Sequence, residues 1–134
     1  MIETLTNKEE LLLRQVHPTF VQNGQISSQP FCPTPKDDNK LSVDRASMTS
    51  PRAAHSLFIA NGGQSVAVYG LSVDEFLREE LTCHADPLKA SDGKRANPAH
   101  AVADYSAHAP GQQKNKAKRL KLKAVARGSL HTSS

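Results

Sequence analysis

The chain has no tryptophan, and its aromatics are four phenylalanines and two tyrosines. A core built without large rings must come from Leu, Val, Ile and Ala. Hydrophobic residues are 37% of the chain, below the usual share of roughly 45–50%. Stability at the low end of the usual range of about 5–15 kcal/mol is therefore expected, helped by a partner. Cysteine is also scarce. With just Cys32 and Cys83 the chain is not a disulfide scaffold; the two could pair, but in a reducing compartment they are expected to be free and packed. No apolar run approaches the ~20 residues of a membrane span. The opening MIETLTNKEELLL lacks a basic stretch followed by an apolar one, so no signal peptide is expected and the expected location is cytoplasmic.

A further absence is local. From 112 to 127 there is no acidic residue, while Lys114, Lys116, Lys118, Arg119, Lys121, Lys123 and Arg127 are all basic. Residues 1–111 carry a net charge of −3, so the whole excess of the +4 chain lies in this segment. Helices that stand alone in water usually mix signs at i,i+4, whereas Lys114/Lys118 and Arg119/Lys123 repel. An anionic partner would relieve that repulsion. Ala117, Leu120 and Ala124 make a narrow apolar stripe, thin for a membrane-surface helix. Without aromatics in the segment, base stacking is not expected. Binding would be directed at a nucleic-acid backbone or an acidic protein surface, and four or five phosphate contacts would give a salt slope of about −4.

The pattern before the basic segment reads as alternating short elements. Thr6-Asn7-Lys8-Glu9 fits a capping box opening a short helix to about Leu12, in competition with a strand over Leu11–Val16. Asn23-Gly24 between 20–22 and 25–27 is a hairpin signal. Three prolines stiffen 29–36. Ser50-Pro51 starts a helix that Asn61-Gly62-Gly63 stops. SVAVYGL at 65–71 is the best strand, and Ser72-Val73-Asp74-Glu75 is a second capping box. Residues 85–98 are polar and turn-rich, and 131–134 are expected to fray.

The expected fold is α+β: a small, mostly antiparallel sheet from 20–28, 41–44, 66–71 and 101–104, with two covering helices (Pro51–Ala60 and 73–81) and an appended basic C-terminal helix. The expected division is a compact domain at 1–108 and a basic helical tail at 109–134.

Motif chemistry is sparse. Cys83, His84, His100 and Cys32 are the one arguable metal set, without CxxC or HxxxH spacing, so no metal is expected. Ser27, Ser28, His17 and Asp44 could form a nucleophile set on paper, but no G-x-S-x-G elbow is present. Gly62-Gly63 lacks the P-loop pattern.

The segments HPTFVQNGQISSQPFCPTPKDDNKLSVDR, SPRAAHSLF, VAVYGLSVDEF and NPAHAVAD resemble a small uncharacterised bacterial protein family, a likeness that spans most of 11–106 and implies no particular activity. The order of an early basic strand residue, a Ser/Phe segment, a strand and a helix also resembles RES-type and other ADP-ribosyltransferase-like domains. That likeness implies NAD as cofactor, with Arg14 or His17 at the first position and Ser27, Ser28 or Ser42 at the second. His55 stands where RES-type domains often place a glutamate, and Asp44 and Asp86 are the nearby carboxylates. The leading expectation is a non-enzymatic bacterial accessory protein, without a cofactor, whose basic helix contacts nucleic acid or an acidic protein within a larger system. The alternative is an NAD-binding enzyme or toxin using Arg14, His17, Ser28 and His55.

Overall fold

The computed structural model describes residues 2–133. Its strands are β1 (Glu3–Thr4), β2 (Leu11–Val16), β3 (Val21–Gln22), β4 (Gln25–Ile26) and β5 (Lys40–Arg45). Helix α1 (Pro51–Ala60), β6 (Ala67–Ser72), α2 (Val73–Leu77), β7 (Thr82–Ala85), β8 (His100–Asp104), α3 (Pro110–Arg127) and β9 (His131–Thr132) follow. Seven strands form one sheet in the order β1-β7-β8-β5-β2-β6-β9, and every pairing in it is antiparallel. The α+β class, the mostly antiparallel sheet and the C-terminal helix are as the sequence leads one to expect.

Strand β2 lies inside the sheet, between β5 and β6, and decides between the two readings of 6–16. Leu12 and Leu13 point to opposite faces and are both buried, so a continuous apolar run is what a strand covered on both sides requires. The capping box at Thr6 does not form. The Asn7 side chain instead accepts the Glu9 N–H at 3.2 Å, and the Glu10 N–H closes a turn on the Asn7 carbonyl.

The hairpin at Asn23-Gly24 forms, with φ of 53° and 76° at the two turn residues, but β3 and β4 make a separate two-stranded sheet. Its strands are two residues each and pair with one another. The expected helix at 73–81 ends at Leu77, because Glu80 turns into the left-handed region at φ 60° and Leu81 then bonds back to the Phe76 carbonyl at 2.9–3.0 Å alongside Glu80 to Leu77. Residues 131–133 do not fray: β9 pairs Ala67↔Thr132 and Val68↔His131, and Leu130 N–H bonds the Val68 carbonyl. Ser134, also expected to fray, lies outside the described residues.

The two faces of the sheet differ. One carries Leu12, Val16, Leu41, Val43, Leu71, Ala101 and Ala103, closed over by Phe31, Phe76 and Tyr105 and by Ala117, Leu120 and Ala124 of α3. The Tyr105 hydroxyl donates to the Phe31 carbonyl at 2.6 Å, which satisfies the one polar atom of that ring in the core. The core is therefore continuous across residue 108, and α3 is one of its walls rather than a tail held clear of it. The other face has a small cluster, Leu13, Ala54 and Val68, under α1 and is partly open.

Candidate functional site

Helix α3 starts with Pro110 at its first turn and ends at Gly128, whose φ of 90° suits a residue without a side chain. Its 18 residues span about 27 Å at 1.5 Å per residue. Residues 113, 117, 120 and 124 recur at helical spacing and are buried, which fixes the rotation of the helix against the sheet. The seven basic side chains then fall on two flanks.

One flank faces α2 and is engaged internally. Lys116 is buried, and its ammonium donates to the Glu79 carbonyl oxygen at 2.6 Å. Arg119 grips the Glu79 carboxylate through Nε and Nη2, both at 2.8 Å from Oε1. Arg127 donates to Glu75 Oε1 and to the Gly70 carbonyl, each at 2.8 Å. Lys123 adds its charge to the field on Glu75. Burial pushes the Glu75 carboxyl upward in pKa, but the Arg127 and Ser72 hydrogen bonds with the charges of Arg127 and Lys123 outweigh it and hold it below its ordinary value. Like-charge repulsion along the helix is thus relieved on this flank by the chain's own carboxylates.

Lys114, Lys118 and Lys121 form the opposite flank at i, i+4 and i+7, one stripe of the helix surface. Lys114 and Lys118 are exposed and Lys121 is half-buried. Among the described residues none of the three makes an ion pair or a side-chain hydrogen bond. Beside them Leu122 and Val125 stand 64% and 45% exposed. Of the seven basic residues, the surface on offer is this stripe, with Lys123 at the border of the internal flank. The roles of Glu75 and Glu79 were not visible in the sequence. Ser72-Val73-Asp74-Glu75 signals a cap, and the long-range pairing to α3 depends on how the two helices meet.

The side chains of the alternative set each bond elsewhere or not at all. Arg14 is half-buried, on the strand position paired with Tyr69, and its guanidinium donates to the carbonyls of Pro30 and Ser42. It stitches chain segments together. His17 caps the turn at Pro18–Phe20 by accepting the Thr19 N–H at 3.1 Å. Ser28 precedes the turn at Gln29–Phe31 and makes no cap bond. His55, on α1, bonds the Ser65 carbonyl at 2.9 Å and lies 4.8 Å from the His131 ring. No hydrogen bond among the described residues joins any two of these four side chains. Ser27 Oγ accepts the Gln29 N–H, and Asp44 is held by Asn97.

Among the described residues no group of three His, Cys, Asp or Glu side chains is placed to hold a metal ion. Cys32 and Cys83 are both free. His84 bonds Thr4, and His100 bonds Asp86. No helix is long and apolar enough to cross a membrane among the described residues. No family model, no curated protein and no solved structure matches the chain.

Proposed function

We propose that the chain is a non-enzymatic accessory protein whose helix α3 docks on an acidic protein partner within a larger assembly. The observation that carries this reading is the composition of the free stripe: Lys114, Lys118 and Lys121 run alongside the exposed Leu122 and Val125. A nucleic-acid backbone would use the lysines and leave both apolar side chains in water. An acidic protein surface with apolar residues uses both, with charge selecting the partner and Leu122 supplying buried area. The internally bonded flank favours binding too, since the helix is ordered before the partner arrives and loses little entropy on docking. With three free lysines in place of seven, a purely phosphate-directed contact would show a salt slope of about −3.

The test uses the full chain with a photo-crosslinker in place of Leu122, exposed to extract of its native host with and without nuclease. The expected result is a cross-link to an acidic protein that survives nuclease and is lost in Lys118→Glu/Lys121→Glu. A cross-link that nuclease abolishes moves the partner to nucleic acid. Cross-linking that charge reversal leaves intact overturns the reading.

A further inference from the structure

The open face of the sheet holds a cavity of about 490 Å³ between α1 and the excursion at 86–98, on the side away from α3. Asp44 and His100 stand opposite each other on β5 and β8 and form part of its floor. They are 9% and 8% exposed. Asn97 donates to Asp44 Oδ1 at 2.8 Å. Among the described residues the carboxylate makes no other hydrogen bond and no ion pair. His100 Nδ1 lies 2.8 Å from the Asp86 carbonyl oxygen and 3.2 Å from Asp86 Oδ2. Both are acceptors, so Nδ1 carries the proton and Nε2 of the neutral ring is left as an acceptor. Among the described residues, the side-chain polar atoms that are both sealed off and unbonded belong to Gln15, whose amide is shut away from the cavity. Asp44 Oδ2 and His100 Nε2 are unbonded without being sealed, and both residues line the cavity. Two free acceptors therefore face into it.

A buried carboxylate with one hydrogen bond and no ion-pair partner is costly to ionise. A cationic donor in the cavity offsets that cost, because it brings both the charge and the missing bond. The rest of the lining narrows what can carry the donor. Lys89, Lys94 and Arg95 are exposed along the excursion, and none forms an ion pair among the described residues. The excursion is fixed to the end of α1 by a reciprocal pair: the Arg95 N–H donates to Asn61 Oδ1 at 2.8 Å and Asn61 Nδ2 donates to the Arg95 carbonyl at 3.2 Å. The resulting cationic rim repels a ligand that is positive throughout, such as a polyamine, and Asp44 repels one that is negative throughout. A ligand carrying both charges suits floor and rim together. The apolar wall is Leu57 and Phe58. The Phe58 ring rests against Gly63, where any Cβ would overlap it, so the missing side chain there lets the ring lie along the cavity wall.

We infer that this cavity binds an amino acid with an apolar side chain, free or at the head of a short peptide. The ammonium donates to Asp44 Oδ2 and His100 Nε2 on the floor. The side chain lies on Leu57 and Phe58, and the carboxylate meets the long, flexible Lys94 and Arg95 at the rim. The cavity volume falls in the range of roughly 300–1,000 Å³ usual for small-ligand sites. Water satisfies the two acceptors until an ammonium offering both bonds displaces it. The site lies on the face of the sheet opposite α3, so it stands apart from the docking stripe and does not depend on it.

The experiment is calorimetric titration of the full chain with leucine, phenylalanine and leucyl-leucine, each beside its N-acetyl form and its C-terminal amide. At least one parent compound is expected to bind, and its N-acetyl form, which has no ammonium, is expected not to. Asp44→Asn should weaken the parent about ten- to a hundredfold at an unchanged or higher melting temperature without ligand. Lys94→Ala/Arg95→Ala, at exposed positions, should weaken it about two- to tenfold and leave the amide's affinity unchanged or tighter. Tighter binding of leucyl-leucine than of leucine assigns the site to peptide N-termini, and the reverse assigns it to free amino acids. No heat and no thermal shift with any of the compounds at about 10 mM overturns the proposal. So does an N-acetyl form that binds as well as its parent, or binding that either variant leaves intact.

Discussion

Arg127 Nη1 lies 2.8 Å from the same Glu75 Oε1 that accepts the Ser72 N–H at 2.8 Å. One carboxylate oxygen thus caps the start of α2 and anchors the last turn of α3. Arg127→Ala should cost about 1–2 kcal/mol, and Glu75→Ala, which also removes the cap, more than that. The pH dependence follows from the depressed Glu75 pKa. Its stabilisation is present above the unfolded carboxylate value of 4.5 and is lost as pH falls through the lower folded value. Urea denaturation of wild type and Glu75→Gln should therefore show a gap at pH 7 that narrows below about pH 4. A gap that stays constant with pH would mean the pair contributes packing alone.

Lys116 and Lys118 are two residues apart and have opposite roles. Lys116 is buried with its ammonium on the Glu79 carbonyl. Lys116→Met keeps the stem but strands that carbonyl, and should cost about 1–3 kcal/mol. Lys118 is exposed, and Lys118→Ala should stay within about 0.5 kcal/mol. Denaturation curves for the two variants check this directly. Equal losses would show that the two flanks of α3 are not distinct.

Cys83 sits in the closed core, and burial pushes its thiol pKa up to about 12. Cys32 is half-buried; burial raises its pKa too, against the charge of Lys114. Since the thiolate is the reactive form, an aromatic disulfide reagent at pH 8 should titrate at most Cys32 in the folded protein, slowly, and both thiols in denaturant. Rapid reaction of two thiols without denaturant would contradict the packing around β7.

Most of the local elements were legible because they are fixed by short-range chemistry. Asn23-Gly24, Ser50-Pro51 and the Ser72 box each specify their own backbone. What was not legible depends on partners distant in sequence. Leu11-Leu12-Leu13 suits a helix or a strand until both faces of β2 are known to be covered. The tail at 131–133 is polar, and it pairs because β6 leaves an edge beside it. The charge of 112–127 was legible, but its division was not, since Glu75 and Glu79 reach α3 across some forty to fifty residues of chain. Gln15 gave a faint signal as a polar residue within LLLRQV, and its unpartnered amide emerges only when Val68 and α1 close around it.

Asp44 supplies the last prediction, with the opposite sign to Glu75. Burial raises its pKa above the ordinary 3.8, and the Asn97 hydrogen bond with the charges of His100 and Arg14 offsets this in part. A carboxyl whose folded pKa is raised holds its proton more tightly when folded. Its ionisation therefore costs stability as pH rises from the unfolded value through the folded one. Asp44→Asn keeps the shape and can still accept the bond from Asn97. The variant should be more stable than wild type at pH 7 and indistinguishable from it near pH 3, where the native carboxyl is neutral. Thermal melts of both proteins across that range test the assignment. If Asp44→Asn is destabilised at pH 7 and the deficit disappears in acid, the carboxylate is stabilised by its neighbours rather than strained by burial.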